Sequence, residues 1–308
     1  MWPSLKAKLD DGWMAVVKRG LRLDLAHVLR PIGSRPEIRS FDSFQIETDE
    51  ADALSRLARS RGLKRYRCTT LLGESDYRMA QVDAPAVPAE ERIQALRWRL
   101  KDVIDFPLDS AALAVADIPL EGARQASLFA VAAPAAVVGE QMGKFEQAKV
   151  NLEAIDIPEM AVRNVAVLFE EANRGLAFLL LAEDGSLLII TYKGELYLSR
   201  RIEMTAEALA PDDAERRVQM RERLALELQR TLDNFDRQYG FISVSRLLVA
   251  TEKDSAGLTG ALAENLYIPV QAMDLAQVAD FAALPELAQA ERQAQGLLAI
   301  GAALRTAP

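Results

Sequence analysis

The alternation of apolar and polar positions marks out the same series of elements in two distant parts of the chain. In the first part, the spacing predicts three strands, a helix and a fourth strand: 13–19, 21–29, 37–46, about 49–60 and 66–72. The second part repeats the series in the same order: 175–182, 186–192, 195–202, about 213–239 and 244–250. We therefore predict one β-β-β-α-β unit that occurs twice.

A three-stranded meander, a crossover helix and a parallel strand form the core of the ribonuclease-H-like fold, and two such units form the actin-like architecture. We accordingly predict an α/β protein with a duplicated, bilobal actin-like fold. Residues 1–158 are predicted to form the first lobe, with its core at 13–72 and an inserted subdomain at about 73–134. Residues 159–308 are predicted to form the second lobe, with a helix at 286–305 that packs back towards the first.

The predicted subdomain contains a helix, begun after Pro88, whose apolar residues do not all fit on one face. Its predicted stripe consists of Ile93, Leu96, Leu100, Val103 and Ile104. Trp98 follows Leu96 by two residues, which places it about 200° further round the helix and outside this stripe. It therefore packs either on a sheet of the subdomain or in a groove for a partner. Because exposed aromatics beside Arg suit interfaces, we predict three partner-binding residues: Arg97, Trp98 and Phe106.

Nucleotide binding in an actin-like fold uses three loops, and each departs from the expected pattern here. Two should be hairpin turns in which an Asp serves Mg²⁺ and a Gly lets backbone N–H groups approach phosphate, and the third should hold a Gly pair. The first turn, Lys18-Arg19-Gly20, has no carboxylate, so it could attract phosphate but not position Mg²⁺. The acids of the second, 183–186, are displaced from the strand end, and the third, 251–257, has one late glycine.

We predict that these loops are vestigial and hold no cofactor, with ATP and Mg²⁺ as the alternative. The vestigial positions are Lys18, Gly20, Asp184, Gly185, Ser186 and Gly257.

The amino-acid composition argues against several classes of partner and site. The formal net charge of −8 argues against a nucleic-acid partner, and the locally basic run at 56–67 is interpreted as a solvated helix end and strand entry. The single cysteine, Cys68, argues against disulfides and Cys-based zinc sites. The single histidine, His27, has no nameable partners for a catalytic triad or a metal site. We predict no catalytic and no metal-binding residue, and hence no enzyme.

Hydropathy gives no sign of a membrane span or a secretion signal. No apolar run approaches the roughly 20 residues that cross a bilayer. The first twelve residues lack the apolar core of a signal peptide. We therefore expect no secretory address.

Five short stretches, taken in order, carry a family resemblance. The first runs from Pro88-Ala89-Glu90-Glu91 through Ala95-Leu96-Arg97-Trp98 to Ile104-Asp105-Phe106-Pro107. The others follow with the correct spacing: 152–158, 194–202, 227–233 and 237–240. This series resembles the PilM family of actin-like proteins from type IV pilus assembly. It is closest to the MshI branch, from mannose-sensitive haemagglutinin (MSHA) pilus systems. The resemblance extends over about residues 60–305.

The resemblance implies a cytoplasmic protein that is held at the inner membrane through a partner. Together with the altered loops, it leads us to expect a non-catalytic scaffold. That partner would be a membrane protein of the PilN type, bound through its short cytoplasmic tail within a type IV (MSHA-type) pilus platform. Homo-oligomer formation is left open. The alternative is an ATP-binding actin-like protein whose lobe closure regulates pilus or type II secretion assembly.

Overall fold

The computed structural model describes the chain over the following ranges: 9–47, 49–88, 91–101, 103–119, 126–210, 213–253 and 257–306. Three predictions lie outside them: the N-terminal segment 1–8, the helix start at Ala89-Glu90, and the centre of the third loop at 254–256. Within the described ranges, no helix is both long enough and apolar enough to cross a bilayer.

The described residues form thirteen strands and seven α-helices. The strands are β1 (Trp13–Arg19), β2 (Arg22–Leu29), β3 (Glu37–Gln45), β4 (Arg67–Leu71), β5 (Arg78–Asp83), β6 (Ala111–Ile118), β7 (Ser127–Pro134), β8 (Leu152–Asp156), β9 (Gly175–Ala182), β10 (Gly185–Tyr192), β11 (Glu195–Ile202), β12 (Val244–Thr251) and β13 (Val270–Ala272). The helices are α1 (Glu50–Ser60), α2 (Arg92–Leu100), α3 (Ala135–Gln147), α4 (Pro158–Ala166), α5 (Ala214–Gln238), α6 (Leu258–Ala263) and α7 (Ala290–Ala303). The predicted duplication of β-β-β-α-β is confirmed, as β1–β3, α1, β4 and as β9–β11, α5, β12.

The chain divides into two compact units. Unit 1 comprises Met1–Asp10 and Gln45–Pro158, and unit 2 comprises Asp11–Phe44 and Glu159–Pro308. The chain passes from unit 1 to unit 2 after Pro158, which is also the predicted end of the first lobe. The N-terminal strands, however, belong to the same unit as the C-terminal half. The division of the chain into the two predicted lobes therefore stays a prediction.

Unit 2 is built on a five-stranded sheet with the order β11-β10-β9-β12-β13. β9, β10 and β11 form an antiparallel meander, and β12 runs parallel to β9. All eight residues of β9 are buried, as expected for a strand covered on both faces. The crossover helix α5 buries Leu224, Leu228, Leu232 and Phe235. Val218 lies on the same helical repeat but is 54% exposed, since the buried part of α5 begins only at Leu224.

Helix α7 packs closely on the N-terminal hairpin of unit 2. β1 and β2 pair over their whole length, and α7 contacts both of them as well as β9 and β12. Two glycines also permit the close approach of α7 to α4 and β3. A Cβ at Gly301 would lie 2.1 Å from the Ala161 carbonyl oxygen, and one at Gly296 would lie 2.9 Å from the Phe41 ring. Glycine is therefore required at both positions by space rather than by backbone angle.

Unit 1 contains a parallel pair of strands, β4 and β8, and a small antiparallel sheet in the order β5-β7-β6. α1 and α3 pack together, with Lys144 Nζ 3.0 Å from Glu50 Oε2. α2 covers one face of the small sheet. The core that they share includes Leu96, Leu100, Ile104, Leu128 and Ala130. This sheet and helix fall within the predicted insertion. Val103, predicted in the apolar stripe, is 56% exposed.

Two helices are shorter than predicted. α2 ends at Leu100 instead of continuing through Ile104, because the chain turns there and packs Ile104 and Leu108 into the same core as the helix. α7 starts at Ala290, after a separate 3₁₀ turn at 285–288. α4 ends at Ala166 and is followed by a 3₁₀ turn at Val167–Phe169. β13 and α6 were not predicted; both are short and lack a clear periodic pattern.

Candidate functional site

The three predicted nucleotide loops meet within unit 2 at a cluster of three charged side chains. Arg19 ends β1, Asp184 lies in the β9–β10 turn, and Glu252 follows β12. Arg19 Nη2 lies 2.5 Å from Asp184 Oδ1 and 3.4 Å from Glu252 Oε2, and Arg19 Nη1 donates to Glu252 Oε1. One guanidinium thus joins all three loops. We call Arg19, Asp184 and Glu252 the arginine cluster.

Strand alternation explains why Arg19 and not Lys18 enters this cluster. Successive side chains on a strand point to opposite faces, and on β1 Lys18 is exposed whereas Arg19 is buried. The parallel pairing of β12 with β9 places Thr251 opposite Leu181, so Glu252 arrives beside the β9–β10 turn. The Glu183 backbone N–H then donates to Glu252 Oε2 at 3.0 Å, which fixes this carboxylate against the turn.

Burial makes the Arg19–Glu252 contact a desolvated ion pair. The side chains of Arg19 and Glu252 are 6% and 0% exposed, and that of Asp184 is 59% exposed. Burial alone would lower the pKa of Arg19, but the two carboxylates outweigh it and hold that pKa above its usual range. Burial raises the pKa of Glu252, and the adjacent guanidinium opposes that rise. The cluster therefore contains a permanently charged cation.

The other predicted loop residues are not gathered at this point. Lys18 is exposed on the opposite face of β1. Gly20 forms the hairpin turn with φ +56°, and Gly257 precedes α6 with φ +79°. Gly185 pairs with Ala182 in the hairpin ladder. The buried Ser186 hydroxyl donates to the Met204 carbonyl.

Arg19 and Glu252 are the site residues that the sequence prediction missed. The first turn was expected to attract phosphate, but the guanidinium of Arg19 is turned to two carboxylates instead. A signal was present in the sequence. Arg19 occupies a buried position at the end of a strand, and acidic residues follow the ends of β9 and β12. Opposite charges at neighbouring strand ends are expected to pair.

The residues of the arginine cluster do not fit a magnesium–nucleotide group. Mg²⁺ is held by carboxylate oxygens, but here both carboxylates already bind a guanidinium. A Mg²⁺ ion would lie beside a buried positive charge, and a phosphate would meet two carboxylates. Over the described part of the chain, no three His, Cys, Asp or Glu side chains are grouped in a way that could hold a metal.

A groove in unit 1 contains all three predicted partner-binding residues. Its volume is about 690 Å³. One wall is formed by Gln94, Arg97, Trp98 and Lys101, and the other by the consecutive residues Ile104–Asp109. Trp98 is 74% exposed, so its ring does not pack into the subdomain core. Lys101 Nζ lies 6.0 Å from the ring centroid, within range of a cation–π contact. We call this the Trp98 groove.

Arg97 holds the two walls of the Trp98 groove together. Its guanidinium donates to the Leu108 carbonyl and, at 3.1 Å, to the Ala111 carbonyl. The side chain is half-buried and its donors serve the backbone. Arg97 therefore shapes the groove, whereas Trp98 and the half-buried Phe106 offer apolar surface. Asp105 pairs with Arg78 at 3.0 Å at the rim, and Asp109 is exposed.

The single cysteine and the single histidine belong neither to the arginine cluster nor to the Trp98 groove. Cys68 is buried, and that burial raises the pKa of its thiol to about 12, so it is a poor nucleophile at neutral pH. His27 Nε2 lies 2.8 Å from the Asp11 carbonyl oxygen.

No protein-family model matches the sequence, and no curated protein matches it. Solved structures do match. A PilM–PilN type IV pilus biogenesis complex superposes with a TM-score of 0.73 at 18% identity, over 95% of this chain and 98% of that chain. A Bacteroides thetaiotaomicron protein with an actin-like ATPase fold and unknown function gives a TM-score of 0.52 at 10% identity, over 94% and 99%. These two likenesses show that the chain has an actin-like fold, which confirms the predicted fold class.

A further likeness is to the cytoplasmic domain of EpsL, an inner membrane component of the type II secretion system of Vibrio cholerae. Its TM-score is 0.48 at 11% identity, over 92% of this chain and 94% of that chain.

Proposed function

We propose that this protein is a non-catalytic actin-like scaffold of a type IV pilus assembly platform of the MSHA type. It works in the cytoplasm and is held at the inner membrane by binding the short cytoplasmic tail of a PilN-like membrane protein. Two findings support this. The fold is like that in the PilM–PilN complex of type IV pilus biogenesis, and five stretches of sequence resemble the PilM family.

The Trp98 groove carries the proposal. Exposed apolar residues are common on soluble proteins, so an exposed Trp alone would mean little. Here the exposed Trp98 stands at the edge of a concave, structured surface together with the half-buried Phe106. Aromatic side chains in such a setting are the usual anchors of protein recognition. We therefore assign the tail-binding site to this groove.

The size and charge of the groove suit a short segment rather than a folded domain. A volume of about 690 Å³ accommodates a few side chains and lies within the range of pockets for small ligands. Its rim carries both signs of charge, with Lys101 on one wall and Asp109 on the other. An extended tail with an apolar side chain for Trp98 and Phe106, and polar groups on either side, would satisfy these surfaces.

The arginine cluster supports the non-catalytic part of the proposal. An ATP-dependent switch needs loops that accept Mg²⁺ and phosphate, and here the loop carboxylates bind Arg19. In the proposal the actin-like fold therefore supplies binding faces, and the loops keep only their structural role.

The test is the affinity of the full-length protein for a synthetic peptide of the PilN-like tail. Trp98→Ala removes the aromatic anchor and should weaken binding roughly 30-fold or more, which corresponds to about 2 kcal/mol. Because Trp98 is mostly exposed, the free energy of unfolding should change by no more than about 0.5 kcal/mol. Isothermal titration calorimetry and thermal unfolding measure the two quantities.

Two control variants separate the groove from general surface effects. Met142→Ala removes an exposed apolar side chain in unit 1, and Tyr267→Ala removes an exposed aromatic in unit 2; both lie outside the groove. Neither should change peptide affinity by more than about twofold. Unchanged binding by Trp98→Ala would remove the assignment of the tail site to this groove.

A further inference from the structure

The arginine cluster resembles a cation-binding site of two carboxylates in which the cation is the side chain of Arg19. Two carboxylates from different loops, Asp184 and Glu252, converge on the single positive charge of Arg19. The Glu252 side chain is completely buried and the Arg19 side chain nearly so. A buried carboxylate needs a cation or several hydrogen-bond donors beside it, and Glu252 receives both the guanidinium and the Glu183 N–H.

The alternative role for a basic residue at this turn is to bind an incoming phosphate. The geometry and the charge of the cluster both argue against phosphate binding by Arg19. Both terminal nitrogens of Arg19 are used by carboxylates, and its side chain is only 6% exposed. The cluster has a net charge of −1, counted from one guanidinium and two carboxylates, which repels an anion. The neighbouring Arg22 is paired with the buried Asp24 at 2.9 Å and does not change this balance.

We propose that Arg19 is a resident cation, which takes the place between the three loops that a bound metal–phosphate group takes in nucleotide-binding actin-like proteins. Its planar guanidinium contacts Asp184 and Glu252 at once and joins the β1–β2 turn, the β9–β10 turn and the segment after β12. These loops therefore stay together without Mg²⁺ or nucleotide. In a variant without the Arg19 guanidinium, Asp184 and Glu252 would present a latent site for a divalent cation.

The latent site follows from the same geometry. If the guanidinium is removed, two carboxylates remain close together with no cation between them, and one is buried. Carboxylates in this arrangement repel each other and attract a divalent ion. Mg²⁺ commonly binds one or two carboxylates and fills its other positions with water. The Arg19→Ala variant should therefore depend on divalent cations in a way that the natural protein does not.

Thermal unfolding of the full-length protein tests this, with millimolar MgCl₂ and with Mg-ATP as the probes. The natural protein should show no saturable rise in Tm with either probe. Arg19→Ala should unfold about 5 °C or more lower in EDTA. Titration with MgCl₂ should then raise its Tm, with the folded-to-unfolded ratio about 100-fold higher at 100 times the Kd. The Arg19→Ala/Glu252→Gln variant should lose this response.

Lys18→Ala is the matched control, since it removes a positive charge from the adjacent, exposed position of β1. Its Tm should fall by much less than that of Arg19→Ala and should not respond to MgCl₂. The proposal is overturned if the natural protein gains stability from Mg-ATP in a saturable way. It is equally overturned if Arg19→Ala has the Tm of Lys18→Ala, or if MgCl₂ does not raise the Tm of Arg19→Ala.

Arg19→Lys provides a second test should Arg19→Ala not accumulate as folded protein. Lysine keeps the charge but cannot form the fork that contacts both carboxylates. A lowered Tm with no gain from MgCl₂ is expected, and a Tm equal to that of the natural protein contradicts the proposal. A saturable gain of the natural protein from Mg-ATP would also contradict the non-catalytic part of the proposed function. The proposed tail binding is tested independently, because no residue of the Trp98 groove is changed and tail-peptide affinity is measured separately.

Discussion

The arginine cluster and the Trp98 groove are both places where a ligand was expected, but the chain fills one and leaves the other open. At the cluster, Arg19 and Glu252 are almost completely buried and satisfy each other. At the groove, Trp98 is 74% exposed, and the nearby Arg97 bonds only to backbone carbonyls. Charges that are paired and buried within the chain are not accessible to a ligand. Exposed apolar surface in a groove remains accessible, and there we propose that another protein binds.

The contrast between the cluster and the groove also changes the interpretation of the short turn at Asp184-Gly185. Taken alone, the turn indicates a nucleotide site, with the Asp serving Mg²⁺ and the Gly letting backbone N–H groups approach phosphate. In the structure, Asp184 serves the positive charge of Arg19 from the other hairpin. The turn is therefore part of an internal contact, which in our proposal takes the place of a bound ligand.

The largest effect should come from breaking the buried pair of the cluster. Glu252→Ala leaves the Arg19 guanidinium buried with only the more exposed Asp184 as partner, and should cost about 3–5 kcal/mol of unfolding free energy. Replacing both residues, as in Arg19→Met/Glu252→Leu, should cost much less than the sum of Arg19→Met and Glu252→Leu made singly. Urea unfolding of the natural protein, these two single variants and the double variant measures this coupling. Additive losses would mean that the pair does not act as a unit.

A smaller effect is expected at the groove, where Arg97 joins the two walls. Arg97→Ala removes the donors to the Leu108 and Ala111 carbonyls and should cost about 1.5–3 kcal/mol. Tail-peptide affinity should fall as well, because the second wall loses its support. Arg99→Ala is the control, since the exposed Arg99 makes one bond, to the Asp83 carbonyl at 3.0 Å. If Arg97→Ala lost stability but kept its affinity for the tail peptide, the second wall of the groove would not take part in tail binding.

Much of the fold could be predicted because its signals are local. β9, β10 and β11 lie within one residue of the predicted bounds, since buried strands between tight turns such as Lys193-Gly194 give clear sequence patterns. The Trp98 prediction rested on the helical repeat around Leu96 and is equally local. The Arg19–Glu252 pair could not be found in this way, because 233 residues separate its members and only the strand pairing brings them together.

The early end of α2 was missed for the same reason. Helical periodicity continues through Val103 and Ile104, but tertiary packing decides where the chain turns. Only the contacts of Ile104 and Leu108 with the small sheet show that the helix has ended. Boundaries set by packing are therefore less predictable than the elements themselves.

The smallest effect should come from the exposed member of the cluster. Asp184 is 59% exposed, so Asp184→Asn removes a charge that is largely screened by solvent and should cost no more than about 1 kcal/mol. High salt should reduce this cost further, whereas the cost of Glu252→Ala should change little with salt, because Glu252 is buried. Unfolding of both variants at low and high NaCl measures the contrast. An equal salt dependence would show that solvent reaches the Arg19–Glu252 pair, and the cluster would then resemble the open groove.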